Sequence, residues 1–187
     1  MQNYTTGDIL LTLKILEKQQ MGRKNLAKSL GLGEATIRTL FRTLESQDLI
    51  TSTRKGQKIT EKGIDLLASV PHFTLPKPVE GGDLTLSQHN CATLICDYAR
   101  NVKNGIQFRD AAIIAGACGA TTLIFSQGKL HFPDNTDVPS DTTSLCNHFS
   151  FSENDILIMV TAETAEKAIR GIAYCLSLLS QEKPKDF

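Results

Sequence analysis

RKNLAKSLGLGEATIRTLFRTLES, residues 23–46, sets both a local shape and a candidate chemistry. Over 23–30 the apolar residues Leu26, Ala27 and Leu30 fall at i, i+1 and i+4, which predicts a short helix with a small residue where a second helix can approach. Gly31-Leu32-Gly33 breaks it, because two glycines around one apolar residue let the backbone turn sharply while Leu32 is expected to stay buried. From Glu34 to about residue 47 a second helix places Ile37, Leu40, Phe41 and Leu44 at i, i+3, i+4 and i+7 on its inner face. At about 100° per residue the opposite face is centred on Ala35, Thr39, Arg42 and Ser46, flanked by Thr36, Arg38 and Thr43, and it holds no acid. The pattern is a helix-turn-helix.

A small, hydroxyl-bearing, cationic helix face suits the DNA major groove. Arginine forks onto a guanine edge or a phosphate, threonine bonds either or packs its methyl on thymine, and alanine lets the helix sink in. Downstream, residues 49–53 read as a strand, Arg54-Lys55-Gly56-Gln57 as a cationic turn and Lys58-Ile59-Thr60 as a return strand. Thr60 is then the cap of a helix beginning at Glu61. Basic side chains at the tip of such a hairpin can reach phosphates or the minor groove beside the helix. The expected division of labour on double-stranded DNA is base reading by Arg38, Thr39 and Arg42 with Thr36 assisting, and phosphate binding by Arg54, Lys55 and Lys58.

At LAKSLGLGEATIRTLFRTLESQDLI and KGQKITEKG the sequence resembles the winged-helix DNA-binding domain of bacterial and archaeal transcription regulators, over roughly residues 7–70. Two positions depart from that pattern. Gly33 stands where the family often has Ser or Thr as a helix N-cap, and Asp48 where it often has Gly before the wing strand. Winged helices also serve as protein-binding or RNA-binding modules, in which such a cationic face is merely solvated.

The whole chain has 187 residues, 41% of them hydrophobic, enough for one large or two small cores. Residues 70–83, VPHFTLPKPVEGGD, hold three of the six prolines and a Gly-Gly pair without periodicity, so the expected organisation is a first domain over 1–70, a linker over 71–83 and a second domain over 84–187. Formal net charge is zero, yet residues 1–70 carry 11 Lys and Arg against 7 Asp and Glu, leaving the remainder at −4. A basic half joined to an acidic half fits an arrangement in which only the first faces a polyanion. No apolar run is long enough to span a membrane and no signal-peptide pattern opens the chain, so a soluble, cytoplasmic protein is expected. Five cysteines at irregular spacing argue against a disulfide framework.

In the second half, residues 92–98 read as a buried strand, 108–117 as a short helix rich in small residues, 121–125 and 129–132 as a hairpin, 133–152 as a polar loop, and 155–161 as a central strand. A long last helix is lined by Ala165, Ala168, Ile169, Ile172, Leu176 and Leu179. The expected fold class is α+β, with the winged helix-turn-helix followed by a domain of β-α-β-β-β-α order, helices on one face of one sheet. Through the block NGIQFRDAAIIAGACGATTL this half resembles the second domain of an uncharacterised archaeal family that joins a winged helix to such a module, which implies an archaeal source.

That same block is the candidate small-molecule site: Gly105, Arg109, Asp110, Gly119, Thr121 and Thr122, where glycines admit a ligand to the backbone and Arg with Thr can hold a carboxylate or phosphate. Its spacing matches neither a Walker A loop nor a dinucleotide fingerprint. The competing reading is helix-strand packing, with Arg109 and Asp110 paired structurally. His89-x-Cys91 and Cys146-x-His148 lack the spacing of strong zinc motifs, so no metal site and no cofactor are assigned. Seven acids and no Lys or Arg lie between Leu130 and Glu166, a stretch that would repel DNA. No hydrolase, zincin or kinase motif occurs, so no catalytic residue is assigned and the chain is read as not an enzyme. The reading is a homodimeric transcription regulator whose second domain dimerises and has room for a small-molecule effector, with no membrane partner. Its alternatives are an enzyme in 84–187 with a regulatory winged helix, and a winged helix that binds protein.

Overall fold

The computed structural model describes residues 3–139 and 142–180. It divides into two units. The first comprises the chain up to Val70 together with the chain from Leu176, and the second is Pro71–Cys175.

The first unit runs α1 (Thr6–Lys18), α2 (Arg23–Leu30), α3 (Glu34–Ser46), β1 (Ile50–Thr53), β2 (Gly56–Ile59) and α4 (Glu61–Ala68). Thr5 and Asp8 start α1 with a reciprocal capping box, the Asp8 carboxylate accepting from the Thr5 backbone N–H at 2.6 Å. Leu11, Leu13, Leu26, Ile37, Leu40 and Leu44 are fully buried among the first three helices. Each contributes roughly 1.5–3 kcal/mol relative to exposure. Gly31 takes a left-handed φ of 62° and the Leu32 N–H returns to the Ala27 carbonyl at 3.0 Å, so the turn forms as expected, although Leu32 is only half-buried.

At its other end α3 stops on Asp48, whose φ is 57°. The Asp48 N–H donates to the Glu45 carbonyl at 3.0 Å and the Leu49 N–H to the Leu44 carbonyl at 2.9 Å, the paired bonds of a Schellman motif. A left-handed backbone of this kind is one that glycine adopts at no steric cost. The hairpin that follows pairs Ile50 with Ile59 and Thr53 with Gly56, so its turn is the dipeptide Arg54-Lys55 and the return strand starts two residues earlier than expected. Met21 pairs with the other edge of β2, exchanging backbone bonds with Gln57 at 3.1 and 2.9 Å. Gly56 sits at φ 118° with Met21 so near that a Cβ would lie 2.6 Å from its carbonyl carbon. Thr60 caps α4 through its hydroxyl, which accepts from the Gly63 N–H at 3.1 Å.

The second unit is built on an antiparallel sheet of β3 (Lys77–Pro78), β4 (His89–Ile95), β5 (Gly119–Ser126), β6 (Lys129–His131) and β7 (Ile156–Ala162) in the order β3-β4-β7-β5-β6. Its helices are α5 (Ile106–Ile114), α6 (Thr143–His148) and α7 (Ala165–Ser177), the last crossing into the first unit at Leu176. All seven residues of β7 are buried, as its unbroken apolar run requires of a central strand. Gly171 of α7 lies against Val160, where a Cβ would stand 2.6 Å from that side chain. Leu157 and Met159 point the other way, into a cluster with Leu94, Leu123, Leu145 and Phe149.

The second unit departs from the sequence pattern at three points. The presumed linker over 71–83 carries β3, and its Thr74 N–H donates to the Leu94 carbonyl at 2.9 Å, so it extends the sheet past β4. The presumed polar loop over 133–152 contains α6, whose Leu145 at 2% exposure and following Phe149 at 5% close one face of the sheet. Helices therefore cover both faces rather than one. Among the described residues no helix is long and apolar enough to cross a membrane.

Candidate nucleic-acid interface

Burying Ile37, Leu40, Phe41 and Leu44 leaves Arg38, Thr39 and Arg42 exposed on α3, with Thr36 and Thr43 half-buried beside them. The Thr39 hydroxyl donates to the Ala35 carbonyl at 3.3 Å and that of Thr43 to the Thr39 carbonyl at 3.2 Å. The exposed Thr39 oxygen thus keeps acceptor capacity toward the surface, whereas the half-buried Thr43 oxygen accepts from the Tyr4 hydroxyl at 2.9 Å.

Among the described residues, Arg38, Arg42, Arg54, Lys55 and Lys58 form no ion pair, whereas Arg23 is engaged by Glu34 at 3.3 Å. The Arg23 contact joins the first turns of α2 and α3, so the acid offsets a cation that the α2 dipole disfavours.

Between α3 and the hairpin lies a cleft of about 400 Å³, bordered by Arg38, Arg42, Glu45, Ser52, Thr53 and Gln57 among others. Arg54 and Lys55 form the exposed hairpin turn above it. The Thr53 hydroxyl shapes that turn, donating to the Gly56 carbonyl at 2.7 Å and accepting the Lys55 N–H at 3.1 Å. Lys58 stands apart. Alternation along β2 places it on the opposite face from Gln57, in a separate cleft with Glu17 and Glu61.

The sequence reading missed the polar floor of the cleft. Glu45 Oε1 accepts from the Ser52 hydroxyl at 2.8 Å and from Gln57 Nε2 at 2.9 Å, and Gln57 Nε2 also reaches Ser52 Oγ at 2.9 Å. Glu45 lies three residues beyond Arg42 and seven beyond Arg38, so its spacing put it on the flank of their face. Gln57 is 9% exposed and its Oε1 is buried without a partner among the described residues. The amide orientation is fixed by Glu45, which can only accept.

The candidate ligand residues of the second unit are not gathered into one site. Gly105, at φ 70°, admits Thr122 so closely that a Cβ would meet its side chain at 2.8 Å, a packing contact that glycine alone allows. Thr121, on the other face of β5, donates its hydroxyl to the Leu84 carbonyl at 2.9 Å. Arg109 bonds its neighbour Asp110 through Nε at 3.1 Å and Nη2 at 3.0 Å on the exposed side of α5, and Gly119 pairs with Thr161 inside the sheet. Of the acids between Leu130 and Glu166, Asp155 is buried and structural, accepting the N–H groups of Asp97 at 3.0 Å and Ser152 at 2.8 Å. Among the described residues no three of His, Cys, Asp and Glu come together in a way that would hold a metal ion. Burial pushes the thiols of Cys91 and Cys175 up to about 12.

A two-unit chain of this architecture has relatives. The chain belongs to the family described as a domain of unknown function, DUF4443, whose family model matches residues 86–179. Residues 5–65 match the model described as the PH0730-like N-terminal domain. Among solved structures the chain is similar to the hypothetical protein PH0730 from Pyrococcus horikoshii OT3, at 27% identity and a TM-score of 0.74, covering 97% of this chain and 95% of that one. No curated protein matches the sequence.

Proposed function

We propose that the chain is a DNA-binding transcription regulator that works as a homodimer, with α3 in the major groove and the Arg54-Lys55 turn on the backbone beside it. The observation that carries the reading is the pairing of an exposed α3 face bearing Arg38, Thr39 and Arg42 with a cationic hairpin turn, none of those cations engaged by an acid among the described residues. Cations that a fold leaves without acids at two points of one surface match the two-point contact of helix and wing with a duplex. The +4 balance of residues 1–70 supports it through long-range attraction to phosphate. Base reading falls to Arg38, Thr39 and Arg42, with Thr36 at the groove edge. Phosphate contact falls to Arg54 and Lys55, and Lys58 is left out because it faces away from the cleft.

Fluorescence anisotropy of full-length protein on random and native upstream duplexes, taken across a salt series, tests the proposal. Affinity is expected to fall steeply with salt and to be tighter for a subset of sequences. Folded protein that binds no duplex at low salt would refute it.

A further inference from the structure

α5 buries Phe108, Ala111 and Ala112 against its own unit and turns three isoleucines outward: Ile106 at 44% exposure, Ile113 at 48% and Ile114 at 75%. A surface helix ordinarily reserves its outer face for polar residues. At about 100° per residue, Ile106, Arg109, Asp110 and Ile113 share an arc of about 100°, with Ile114 on its flank. Their order has a particular symmetry. Ile-x-x-Arg-Asp-x-x-Ile, read from the other end, is the same series with the two charges exchanged.

We propose that this face of α5 is where two copies of the chain meet, the helices lying antiparallel across a two-fold axis between residues 109 and 110. Ile106 then stands opposite Ile113 of the second copy, and Arg109 opposite Asp110 of the second copy, twice over. Such self-complementarity is what a two-fold contact demands, since every residue must suit its symmetry mate. A parallel arrangement would instead set Arg109 on Arg109. Within one copy, Nε and Nη2 of Arg109 both bond Oδ1 of Asp110, which leaves Nη1 and Oδ2 available for the second copy. The four charges close into a ring in which each arginine faces two carboxylates. As an exposed pair in one copy the two residues contribute little. Between isoleucines that exclude water the same charges interact more strongly.

The proposal deepens the regulator reading and rests on it for its purpose, because a dimer is what lets a small domain read paired half-sites. Its geometry rests on α5 alone. One short helix covers less than the roughly 800 Å² per partner of a standard interface, so α5 is the centre of a contact that its flanks complete.

Sedimentation velocity of the full-length chain from about 1 to about 100 µM, with the dissociation constant as readout, tests this. Wild type is expected to dimerise within that range. Ile113→Asp and, separately, Arg109→Asp are each expected to weaken the dimer by about tenfold or more, the second by setting like charges together. The exchange Arg109→Asp with Asp110→Arg is expected to restore it to within about threefold, because the ring re-forms with its signs reversed. A chain that stays monomeric throughout, a dimer indifferent to both single substitutions, or an exchange that fails to restore would each overturn the proposal. The charge variants alter only exposed side chains, so the test holds even if Ile113→Asp fails to fold. Duplex binding, measured in parallel, separates the two readings. A wild-type chain that stays monomeric, or a dimer indifferent to the α5 substitutions, with salt-sensitive duplex binding intact sinks only the interface, and an α5-dependent dimer without duplex binding sinks only the regulator.

Discussion

Glu45 of α3 and Gln57 of β2, twelve residues apart in sequence, are joined by a 2.9 Å bond from Nε2 to the carboxylate, with Ser52 closing the triangle. The hairpin is therefore held to the helix by side chains as well as by the chain between them. Glu45→Ala leaves the exposed Ser52 hydroxyl to water and removes the carboxylate from the buried Gln57 amide, which keeps only its bond to Ser52. A loss of about 1–3 kcal/mol is expected in urea unfolding, and Glu45→Gln, which keeps an acceptor, should lose less. The same Glu45→Ala removes an acid one turn from Arg42, so non-specific duplex affinity should hold or rise even as stability falls. A parallel fall in both would mean that the cleft is not a phosphate-facing surface.

The two arginines of α3 and the cations of the turn should separate in a salt titration. Arg42→Ala and Arg38→Ala are each expected to cost about 1–3 kcal/mol on a preferred sequence and to flatten preference at one base position. Lys55→Ala should weaken all duplexes alike and reduce the salt slope by about 0.9. Lys58→Ala should change little. All four side chains are exposed, so thermal midpoints should stay put. Equal effects from Lys58→Ala and Lys55→Ala would show that the far face of the hairpin takes part.

Three backbone positions invite opposite outcomes. Gly56→Ala places a Cβ against Met21 at φ 118° and should destabilise the first unit by more than about 1 kcal/mol. Asp48→Gly releases a left-handed aspartate and should be stabilising by up to about 1 kcal/mol. Gly33, extended at φ −68° and ψ 147° with open space at its Cβ, is an N-cap without a side-chain bond. Gly33→Ser should gain a few tenths of a kcal/mol. Urea midpoints at constant m-value decide each case.

Alkaline pH should expose the buried thiols. Below pH 9 the sulfurs of Cys91 and Cys175 are protonated in both folded and unfolded chains, so they do not bias folding. Between 9 and about 12 the unfolded chain releases these protons and the native one retains them. Stability should then fall with rising pH by about 1.4 kcal/mol per unit for each thiol. A thiol reagent at neutral pH should label exposed Cys118 and Cys146 in the native protein and reach Cys91 and Cys175 only on unfolding. Rapid native labelling of Cys175 would contradict the burial described here.

Where side-chain pattern follows backbone period, the sequence was legible. The i, i+3, i+4, i+7 series of α3 and the unbroken apolar run of β7 each placed an element and its buried face. The two elements it hid, β3 and α6, are short and lie among prolines and hydroxyl residues, and their placement is decided by strands elsewhere in the chain: Lys77 pairs with Ala92, and Leu145 packs against Leu94, Leu123 and Leu157. The α3 face was readable because exposure on a helix follows from what is buried opposite. Its polar floor was not, since Glu45, Ser52 and Gln57 meet only once the hairpin folds back. Thr121 and Thr122 failed as a joint ligand site for the simplest reason, that adjacent residues of a strand face opposite ways.

The position of β7 sets the order in which the second unit can come to exist. β4 and β5 are never neighbours; β3 borders the one and β6 the other, and what joins the two pairs is β7, which emerges from the ribosome after both. During synthesis at about 5–20 residues per second, two strands rich in aliphatic side chains wait for seconds with open edges, the interval when cross-pairing between nascent chains is most damaging. The sheet can close only when β7, ending at Ala162, is free to slot between β4 and β5. A ribosome paused just upstream of Ile156 would hold this half of the molecule in its most adhesive condition.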